Sequence, residues 1–244
     1  MGEKTEIWAH RGASGYAPEN TLEAFFMAVQ MGADGVELDV QLSKDGELVV
    51  IHDETLERTS GVKGNVRDFT LAQLKELNVS VAYPNAAPTR IPTLEEVLAA
   101  LRDTDLKINI ECKTGIFFYP KLEAKTVRLV KEMGMLKRVW FSSFNHQSVM
   151  KIKKLCPKAK TGFLLADVNV DAVSYARKNG VGALHPALYH MQDERLLARC
   201  HKKGIKVHVW TVNEKGDMER CARAGVDAII TNYPNIAREV VDAL

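Results

Sequence analysis

The order of β-rich and helical segments constrains the fold of this chain more than any other feature of its sequence. Short runs of apolar and β-branched residues alternate with longer helical patterns from one end to the other. This alternation is typical of a parallel sheet whose strands are connected by helices. The predicted strands are Ile7–His10, Val36–Gln41, Leu48–His52, Lys107–Cys112, Val139–Ser142, Thr161–Leu165, Ala183–His185, Lys206–Thr211 and Ala228–Thr231.

Start and stop signals support the helices that are predicted between most of these strands. Three pairs have the spacing of a capping box: Asn20 with Glu23, Thr70 with Gln73, and Thr93 with Glu96. Four glycines follow helical runs, where a left-handed residue often ends a helix: Gly134, Gly180, Gly204 and Gly225. The predicted helices are Thr21–Met31, Leu94–Arg102, Leu122–Met133, His146–Leu155, Val170–Asn179, Glu194–Lys203 and Lys215–Ala224.

The length of the chain favours a closed barrel over an open sheet. Its 244 residues agree with the about 250 residues that eight β/α units typically occupy. We therefore predict an α/β protein, a (β/α)8 TIM barrel that spans residues 1–244 as a single domain, with an open doubly wound sheet as the alternative. The segment 53–92, after the strand bearing His52, has only one short helical pattern, Leu71–Leu77. We interpret it as a small insertion over one edge of the barrel mouth.

Composition excludes several classes of function. Apolar residues make up 46% of the chain and charged residues 26%, which is the balance of an ordinary globular protein. A formal net charge of +2 gives no field that would attract nucleic acid or anionic lipid, so a small molecule is the expected partner. No apolar run reaches the roughly 18 residues of a membrane helix. We therefore expect no stable membrane anchoring and a cytoplasmic protein.

The cysteines do not indicate a zinc site or a disulfide framework. They are widely spaced and contain no C-x-x-C pair. Buried free thiols in a reducing compartment are the expected state. The four residues are Cys112, Cys156, Cys200 and Cys221.

Acidic and apolar side chains alternate in the second predicted strand. Because successive side chains point to opposite faces of a strand, Glu37 and Asp39 share one face and their Val and Leu neighbours share the other. The apolar face of a barrel strand meets the helices, which directs both carboxylates inward. Two buried carboxylates are costly unless a cation lies between them. The alternative is a pair of surface carboxylates on an edge strand.

The same alternation places Asn109, Glu111 and Lys113 on the inward face of a later strand. Cys112 then points toward the helices as a small hydrophobic residue. Glu111 is therefore expected to join the acidic pair of the second strand. Three carboxylates with few neutral partners suit one Ca²⁺ or Mg²⁺ ion better than Zn²⁺. We interpret Lys113 as an anion-binding residue, with a structural counter-ion as the alternative.

Two predicted strands end in a histidine. His10 precedes the loop that begins with Arg11, and His52 precedes Asp53. One strand-end histidine is more often a satisfied core residue, but two beside a predicted metal site indicate an acid–base pair. Arg11 carries the planar guanidinium that suits a phosphate oxygen, with a surface salt bridge as the alternative. Asp53 either orients His52 or caps the following turn.

Short phrases that occur in order along essentially the whole chain carry a resemblance to a known family. They are His10-Arg11-Gly12, Pro18-Glu19-Asn20-Thr21, Glu37-Leu38-Asp39-Val40, His52-Asp53, Glu111-Cys112-Lys113, Ser142-Ser143-Phe144-Asn145, Val209-Trp210-Thr211-Val212-Asn213 and Thr231-Asn232-Tyr233-Pro234. The ordered set resembles the glycerophosphodiester phosphodiesterase family. It is much more specific than any one of its phrases.

The resemblance implies a (β/α)8 barrel and the metal-dependent hydrolysis of a glycerophosphodiester to glycerol 3-phosphate and an alcohol. A cyclic phosphate, formed by attack of the substrate's own 2-hydroxyl group, is one route by analogy with the family. The implied acid–base pair is His10 and His52, and the implied metal ligands are Glu37, Asp39 and Glu111. The implied phosphate contacts are Arg11 and Lys113. Phe144 and Trp210 would line the pocket, with simple core packing as the alternative. Glu19 would help to hold the site.

The chain departs from the family pattern at two positions. Cys112 replaces a common aliphatic residue, and Asn232 stands where many members have Asp, which leaves the role of that position open. Asn20 is assigned mainly to helix capping.

Two other functions fit a similar barrel: a phospholipase C or D, and a non-catalytic barrel that binds phosphorylated metabolites. The sequence has neither the membrane anchor expected of the first nor the missing histidine or acidic ligand expected of the second. It determines neither the alcohol head group nor the choice between calcium and magnesium.

Overall fold

The computed structural model describes residues 4–167 and 171–244, and strands and helices alternate along these segments. The strands are β1 Glu6–His10, β2 Gly35–Leu42, β3 Leu48–Val50, β4 Lys107–Cys112, β5 Val139–Ser143, β6 Lys160–Leu165, β7 Ala183–Pro186, β8 Lys206–Val209 and β9 Ala228–Thr231. The helices are α1 Leu22–Gln30, α2 Glu57–Ser60, α3 Leu71–Glu76, α4 Leu94–Ala100, α5 Leu122–Glu132, α6 His146–Leu155, α7 Ala172–Lys178, α8 Arg195–Lys202, α9 Lys215–Ala224 and α10 Pro234–Asp242.

Eight of the strands form a closed parallel ring. β2 pairs with β1 on one side and with β4 on the other, and the pairing continues through β5 to β9 and back to β1. The predicted (β/α)8 TIM barrel is therefore confirmed, and the open sheet is excluded. Because β2 has a neighbour on both sides, its acidic residues do not lie on a sheet edge.

The remaining strand, β3, lies outside the ring and runs antiparallel to β2, with Val40 opposite Val50. The sequence predicted a strand over Leu48–His52 that would direct His52 inward by alternation. His52 is not directed inward by strand alternation, because β3 ends at Val50 and forms a hairpin with β2. The hairpin brings the chain back to the barrel mouth, where the amide N–H of Ile51 donates to the carbonyl of Asp39 at 3.0 Å.

The outer faces of the ring pack against the helices and form two large apolar clusters. Cys112 belongs to the first cluster and is fully buried, as its place on β4 predicted. All four cysteines are buried and free, which confirms the prediction for the thiols. No helix within residues 4–167 and 171–244 is long and apolar enough to cross a membrane.

The segment 53–92 has a small apolar core of its own, which includes Leu56, Val66 and Leu74. It contains α3, where the sequence indicated Leu71–Leu77, and the single-turn helix α2, which the sequence pattern did not indicate. The hydroxyl group of Tyr83 donates to the carbonyl of Ser14 in the loop after β1. This contact joins the insertion to the mouth of the barrel.

Most of the predicted helix ends are confirmed. Thr70 and Thr93 form complete capping boxes, and the four predicted glycines have left-handed φ angles of 64° to 82°. The capping box at Asn20 was wrong, because Thr21 caps α1 and accepts from the amide N–H of Ala24. The helix predicted over Val170–Asn179 is observed as α7, and Val170 lies outside the described residues.

Two buried histidines inside the barrel predict acid sensitivity of the fold. His208 Nδ1 lies 3.0 Å from His185 Nε2, and burial lowers the pKa of His185 to about 3. Below about pH 6.5 the unfolded chain binds a proton that the native chain does not, so the free energy of unfolding should decrease as the pH falls. His185 alone should contribute a loss of about 2 kcal/mol at about pH 5, or roughly 4–8 °C in Tm.

Thermal unfolding near pH 7.5 and near pH 5 measures this loss. The His185→Gln variant should lose less stability than the wild type between the two pH values. Equal losses of stability in the variant and the wild type would show that His185 does not contribute to the acid sensitivity.

Candidate active site

A small cavity of about 40 Å³ lies at the carboxyl ends of the strands. Its polar residues come from the neighbouring strands β1, β2 and β4 and from the segment after β3, and its apolar residues come from the opposite part of the ring. The polar side is lined by His10, Arg11, Glu37, His52, Asn109 and Glu111, and the apolar side by Phe144, Leu164, Trp210 and Ile230. The carboxyl ends of the strands are the usual position of the active site in such barrels.

Three carboxylates converge at this end of the barrel. Carboxylate oxygens of Glu37, Asp39 and Glu111 all lie within 4.8 Å of one another, and the three residues are only 1–7% exposed. The strand register accounts for the cluster, because Asp39 on β2 lies opposite Glu111 on β4. The structure therefore brings together the three residues that alternation predicted, while their role as ligands stays a prediction.

The electrostatics of the cluster fit a bound cation. Burial, and then the charges of Asp39 and Glu111, raise the pKa of Glu37 well above its usual value. Burial also raises the pKa of Glu111 to about 7. Burial acts in the same direction on Asp39, but the charges of Arg11 and Lys113 outweigh it and lower the pKa to about 2. The buried Oδ1 of Asp39 has no hydrogen-bond partner among the described residues, which leaves an oxygen for a metal ion.

Arg11 is held by a tight left-handed turn at the end of β1. Its φ angle is 56° and that of Gly12 is 80°, where a Cβ atom would lie 2.7 Å from helix α1. The turn directs the amide N–H of Arg11 to Glu37 Oε2 at 3.1 Å. Its guanidinium donates to Glu19 Oε1 at 3.0 Å and lies 3.5 Å from Asp39 Oδ2. Arg11 is therefore part of the site and not a surface ion pair.

Glu19 binds two arginines and does not line the cavity. Besides Arg11, it accepts hydrogen bonds of 2.8 and 2.7 Å from Arg58. Arg58 also donates to Asp53 at 2.6 Å. Sequence reasoning missed Arg58, because no local pattern connects a residue of the insertion with one 39 positions earlier. The contacts of Glu19 are thus those of a residue that positions Arg11.

His10 is fixed by an amide. Its Nδ1 lies 2.7 Å from Oδ1 of Asn232, and its Nε2 lies 3.9 Å from Oε2 of Glu37. Since an amide oxygen only accepts, Nδ1 carries the proton and Nε2 carries the lone pair. Burial, with a contribution from the charge of Arg11, lowers the pKa of His10 to about 4. Asn232 thus orients the ring through a neutral contact.

His52 lies between an acidic and a basic neighbour. Its Nδ1 is 2.6 Å from Asp53 Oδ1, and its Nε2 is 3.2 Å from Lys113 Nζ. Lys113 Nζ is also 3.2 Å from Glu111 Oε1. The hydrogen bond with His52 holds the pKa of Asp53 well below its usual range. Of the two roles open to Asp53, orientation of His52 is the one that the geometry supports.

Gln41 holds the segment that carries His52, and sequence reasoning gave it no role. Its Nε2 donates to the carbonyl groups of residues 51, 52 and 53 at 2.7–3.1 Å. Its Oε1 accepts from the hydroxyl of Tyr119 at 2.9 Å. A signal existed, because Gln41 continues the inward series of Glu37 and Asp39 at a spacing of two residues.

Asn20 is a third residue whose place the sequence did not reveal. It has a left-handed φ of 59°, and its Nδ2 donates to Asp39 Oδ2 at 2.9 Å. Its Oδ1 accepts from the amide N–H of Asp39 at 3.3 Å. Asn20 therefore orients a carboxylate of the cluster instead of capping α1.

The two aromatic residues expected in the pocket line its apolar side. The rings of Phe144 and Trp210 meet edge to face, with centroids 5.4 Å apart. Trp210 Nε1 donates to the carbonyl of His185 at 2.7 Å, and Phe144 is 40% exposed. The position of the two rings at the cavity favours a pocket wall over simple core packing.

Comparison with known proteins finds the same family along the whole chain. Residues 10–236 match the Glycerophosphoryl diester phosphodiesterase family. The chain is 47% identical over 232 residues to a glycerophosphodiester phosphodiesterase of Caldanaerobacter subterraneus subsp. tengcongensis, with 95% of each chain covered. It is 37% identical over 239 residues to one of Bacillus altitudinis, with 97% of this chain and 98% of the relative covered.

A solved structure with a bound product has the same fold. It is an Oleispira antarctica phosphodiesterase in complex with the product sn-glycerol-3-phosphate. The TM-score is 0.87 at 30% sequence identity, and the match covers 98% of this chain and 97% of the other.

Proposed function

Because the chain belongs to the glycerophosphoryl diester phosphodiesterase family, we propose that it hydrolyses glycerophosphodiesters to glycerol 3-phosphate and an alcohol. One observation carries this proposal: three buried carboxylates converge beside a cavity that two of them line together with two imidazoles, in a chain of this family. The product bound by the Oleispira antarctica phosphodiesterase is the one that this reaction would release.

Glu37, Asp39 and Glu111 would hold one Ca²⁺ or Mg²⁺ ion. A cation bound there would neutralise phosphoryl oxygens and lower the pKa of a hydroxyl group. The charge balance of the connected side chains supports this assignment, because five carboxylates face only three permanently cationic groups. The carboxylates are Glu19, Glu37, Asp39, Asp53 and Glu111, and the cations are Arg11, Arg58 and Lys113.

Arg11 and Lys113 would bind the phosphoryl group from two sides of the cluster. Arg11 presents a planar guanidinium fixed by Glu19, and Lys113 presents an ammonium group between Glu111 and His52. Both charges stabilise the negative charge that develops on the phosphoryl oxygens in the transition state. Glu19 acts through Arg11.

His10 and His52 would transfer the protons. His10, whose Nε2 carries a lone pair on the cavity side, is suited to remove the proton of the attacking hydroxyl group. The carboxylate of Asp53 contacts Nδ1 of His52 and orients the ring, and His52 would protonate the leaving alcohol.

In the first step, the 2-hydroxyl oxygen of glycerol bonds to phosphorus and the bond from phosphorus to the alcohol oxygen breaks. In the second step, the oxygen of a water molecule bonds to phosphorus and the bond from phosphorus to the 2-oxygen breaks, which gives glycerol 3-phosphate. The two histidines exchange roles, so that one removes a proton from the water and the other returns a proton to the 2-oxygen.

The apolar side of the cavity would receive the carbon skeleton of the substrate. Phe144 and Trp210 present aromatic surface opposite the polar residues. This arrangement admits a ligand with one charged end and one weakly polar end.

A substrate panel tests the proposed function. Glycerophosphocholine, glycerophosphoethanolamine, glycerophosphoglycerol and glycerophosphoinositol are incubated with calcium or magnesium, and released glycerol 3-phosphate is measured enzymatically. Release from at least one of these water-soluble diesters supports the proposal. Hydrolysis of intact phospholipids alone would support a phospholipase, and binding without hydrolysis would support a non-catalytic barrel.

The expected cytoplasmic location stays a prediction, as do the absence of a nucleic-acid partner and of a membrane anchor.

A further inference from the structure

Asn109 lies at the floor of the active-site cavity, beside the acidic cluster. On β4 it is two residues before Glu111, and in the strand register it is opposite Glu37. The side chain lines the cavity and is 1% exposed. It therefore lies one layer below Glu111 and next to Glu37 on the inward face of the barrel.

Both polar atoms of this amide are unpaired within the protein. Neither Oδ1 nor Nδ2 of Asn109 has a hydrogen-bond partner among the described residues. The amides of Asn20 and Asn232, by contrast, bond to Asp39 and His10 in the same site. A buried amide without a partner costs stability, and an apolar side chain of similar size would avoid that cost. An unpaired amide that faces a cavity is thus available to a ligand.

The hydrogen-bonding capacity of Oδ1 and Nδ2 indicates the kind of ligand. Oδ1 only accepts a hydrogen bond and Nδ2 only donates. A phosphoryl oxygen can accept a hydrogen bond from Nδ2 but offers nothing to Oδ1. A metal ion can bind Oδ1 but offers nothing to Nδ2. A hydroxyl group satisfies both, because it donates one hydrogen bond and accepts others.

The neighbours of Asn109 fit the carbon chain that would carry such a hydroxyl group. The opposite side of the cavity is formed by Leu164, Trp210 and Ile230, with Phe144 nearby. An apolar wall facing one unpaired amide suits a short polyol, whose carbon chain carries hydroxyl groups.

We propose that Asn109 binds a glycerol hydroxyl group of the substrate and makes the enzyme selective for glycerophosphodiesters over other phosphodiesters. This inference rests on the proposed function and adds a residue that determines specificity. Hydrogen-bonding sites discriminate strongly against analogues that lack the matching group, because the protein atoms are then left unpaired.

The test compares a substrate that has the hydroxyl groups with one that lacks them. Asn109→Leu removes both polar atoms and keeps the branching and the number of side-chain heavy atoms. It should lower kcat/KM for glycerophosphocholine by about 10–100-fold. It should leave kcat/KM for bis(4-nitrophenyl) phosphate, whose good leaving group allows direct attack by water, within about threefold. Its Tm should equal or exceed that of the wild type, since an unpaired buried amide has been removed.

Thr161→Val is the matched control. Thr161 is 1% exposed and its Oγ1 also lacks a partner among the described residues, but it does not line the cavity. This variant should leave kcat/KM unchanged for both substrates. Inhibition by glycerol 3-phosphate and by inorganic phosphate gives a second measurement, in which Asn109→Ala should weaken only the first by about 10–100-fold.

An equal loss for both substrates in Asn109→Leu, or no loss for either, would overturn the inference. A wild-type enzyme that cleaves bis(4-nitrophenyl) phosphate but no glycerophosphodiester would overturn the proposed function instead. The two failures are therefore distinguishable.

Discussion

Replacement of either His10 or His52 by alanine should lower kcat for glycerophosphodiester hydrolysis by about 10²–10⁴-fold. Each ring lines the cavity and is oriented by its own partner, Asn232 for His10 and Asp53 for His52. Loss of one ring removes either the proposed base or the proposed acid, so one proton transfer should then proceed without help. Because neither side chain belongs to the apolar clusters of the fold, Tm should change little.

His201→Ala is the matched control for these variants. His201 is 44% exposed, lies outside the cavity and pairs with Asp227 at 2.9 Å. Its replacement should leave kcat unchanged, as measured by release of glycerol 3-phosphate at saturating substrate and metal. Turnover within tenfold of the wild type in His10→Ala or His52→Ala would remove that residue from the mechanism.

Removal of divalent cations with EDTA should abolish measurable hydrolysis, and calcium or magnesium should restore it. Glu37→Gln and Glu111→Gln should raise the metal concentration that gives half-maximal activity by at least about 100-fold. Each change removes one carboxylate from the three that we propose as metal ligands. It also removes a carboxylate that is buried beside others, so the metal-free variants should be more stable than the metal-free wild type.

Thermal unfolding provides a readout of metal binding that does not depend on turnover. At about 100 times its Kd, a cation should stabilise the wild type by about 2.7 kcal/mol, or roughly 5–10 °C in Tm, and the variants much less. Glu123→Gln is the control, because Glu123 is also buried but bonds to Ser148 and Lys151 away from the cluster. Full activity in EDTA, or the same metal dependence in Glu37→Gln as in Glu123→Gln, would contradict the assignment.

The barrel and the acidic cluster were predictable because both depend on repeating patterns. Alternation along β2 and β4 is a local property, and it fixes the face on which Glu37, Asp39 and Glu111 lie. Parallel strands of a closed ring then bring these faces to one interior. No distant contact had to be known.

His52 shows the limit of this reasoning. Its place at the cavity agrees with the prediction, but β3 is antiparallel and ends before it. What holds His52 there is Gln41, through three backbone carbonyl groups, together with Lys113. A strand of a hairpin and a strand of a barrel have the same local pattern, so only the pairing partner distinguishes them.

Residues that act through another residue were the hardest to predict. Asn20 was interpreted as a cap because Asn is common at that position, yet Thr21 caps α1 and Asn20 binds Asp39. Arg58 lies in the insertion and reaches Glu19 only in the folded chain. Their roles depend on tertiary contacts that no short spacing encodes.

The ring of eight strands closes through β1 and β2, and β3 contributes no hydrogen bond to that closure. One half of the proposed acid–base pair, His10, therefore belongs to the ring of strands, and the other half, His52, belongs to the segment attached to it. Exchange of β3 and the insertion for a segment of different length would leave the ring intact. Reactivity can in this way diverge among barrels of this architecture without any change in how the barrel itself is built.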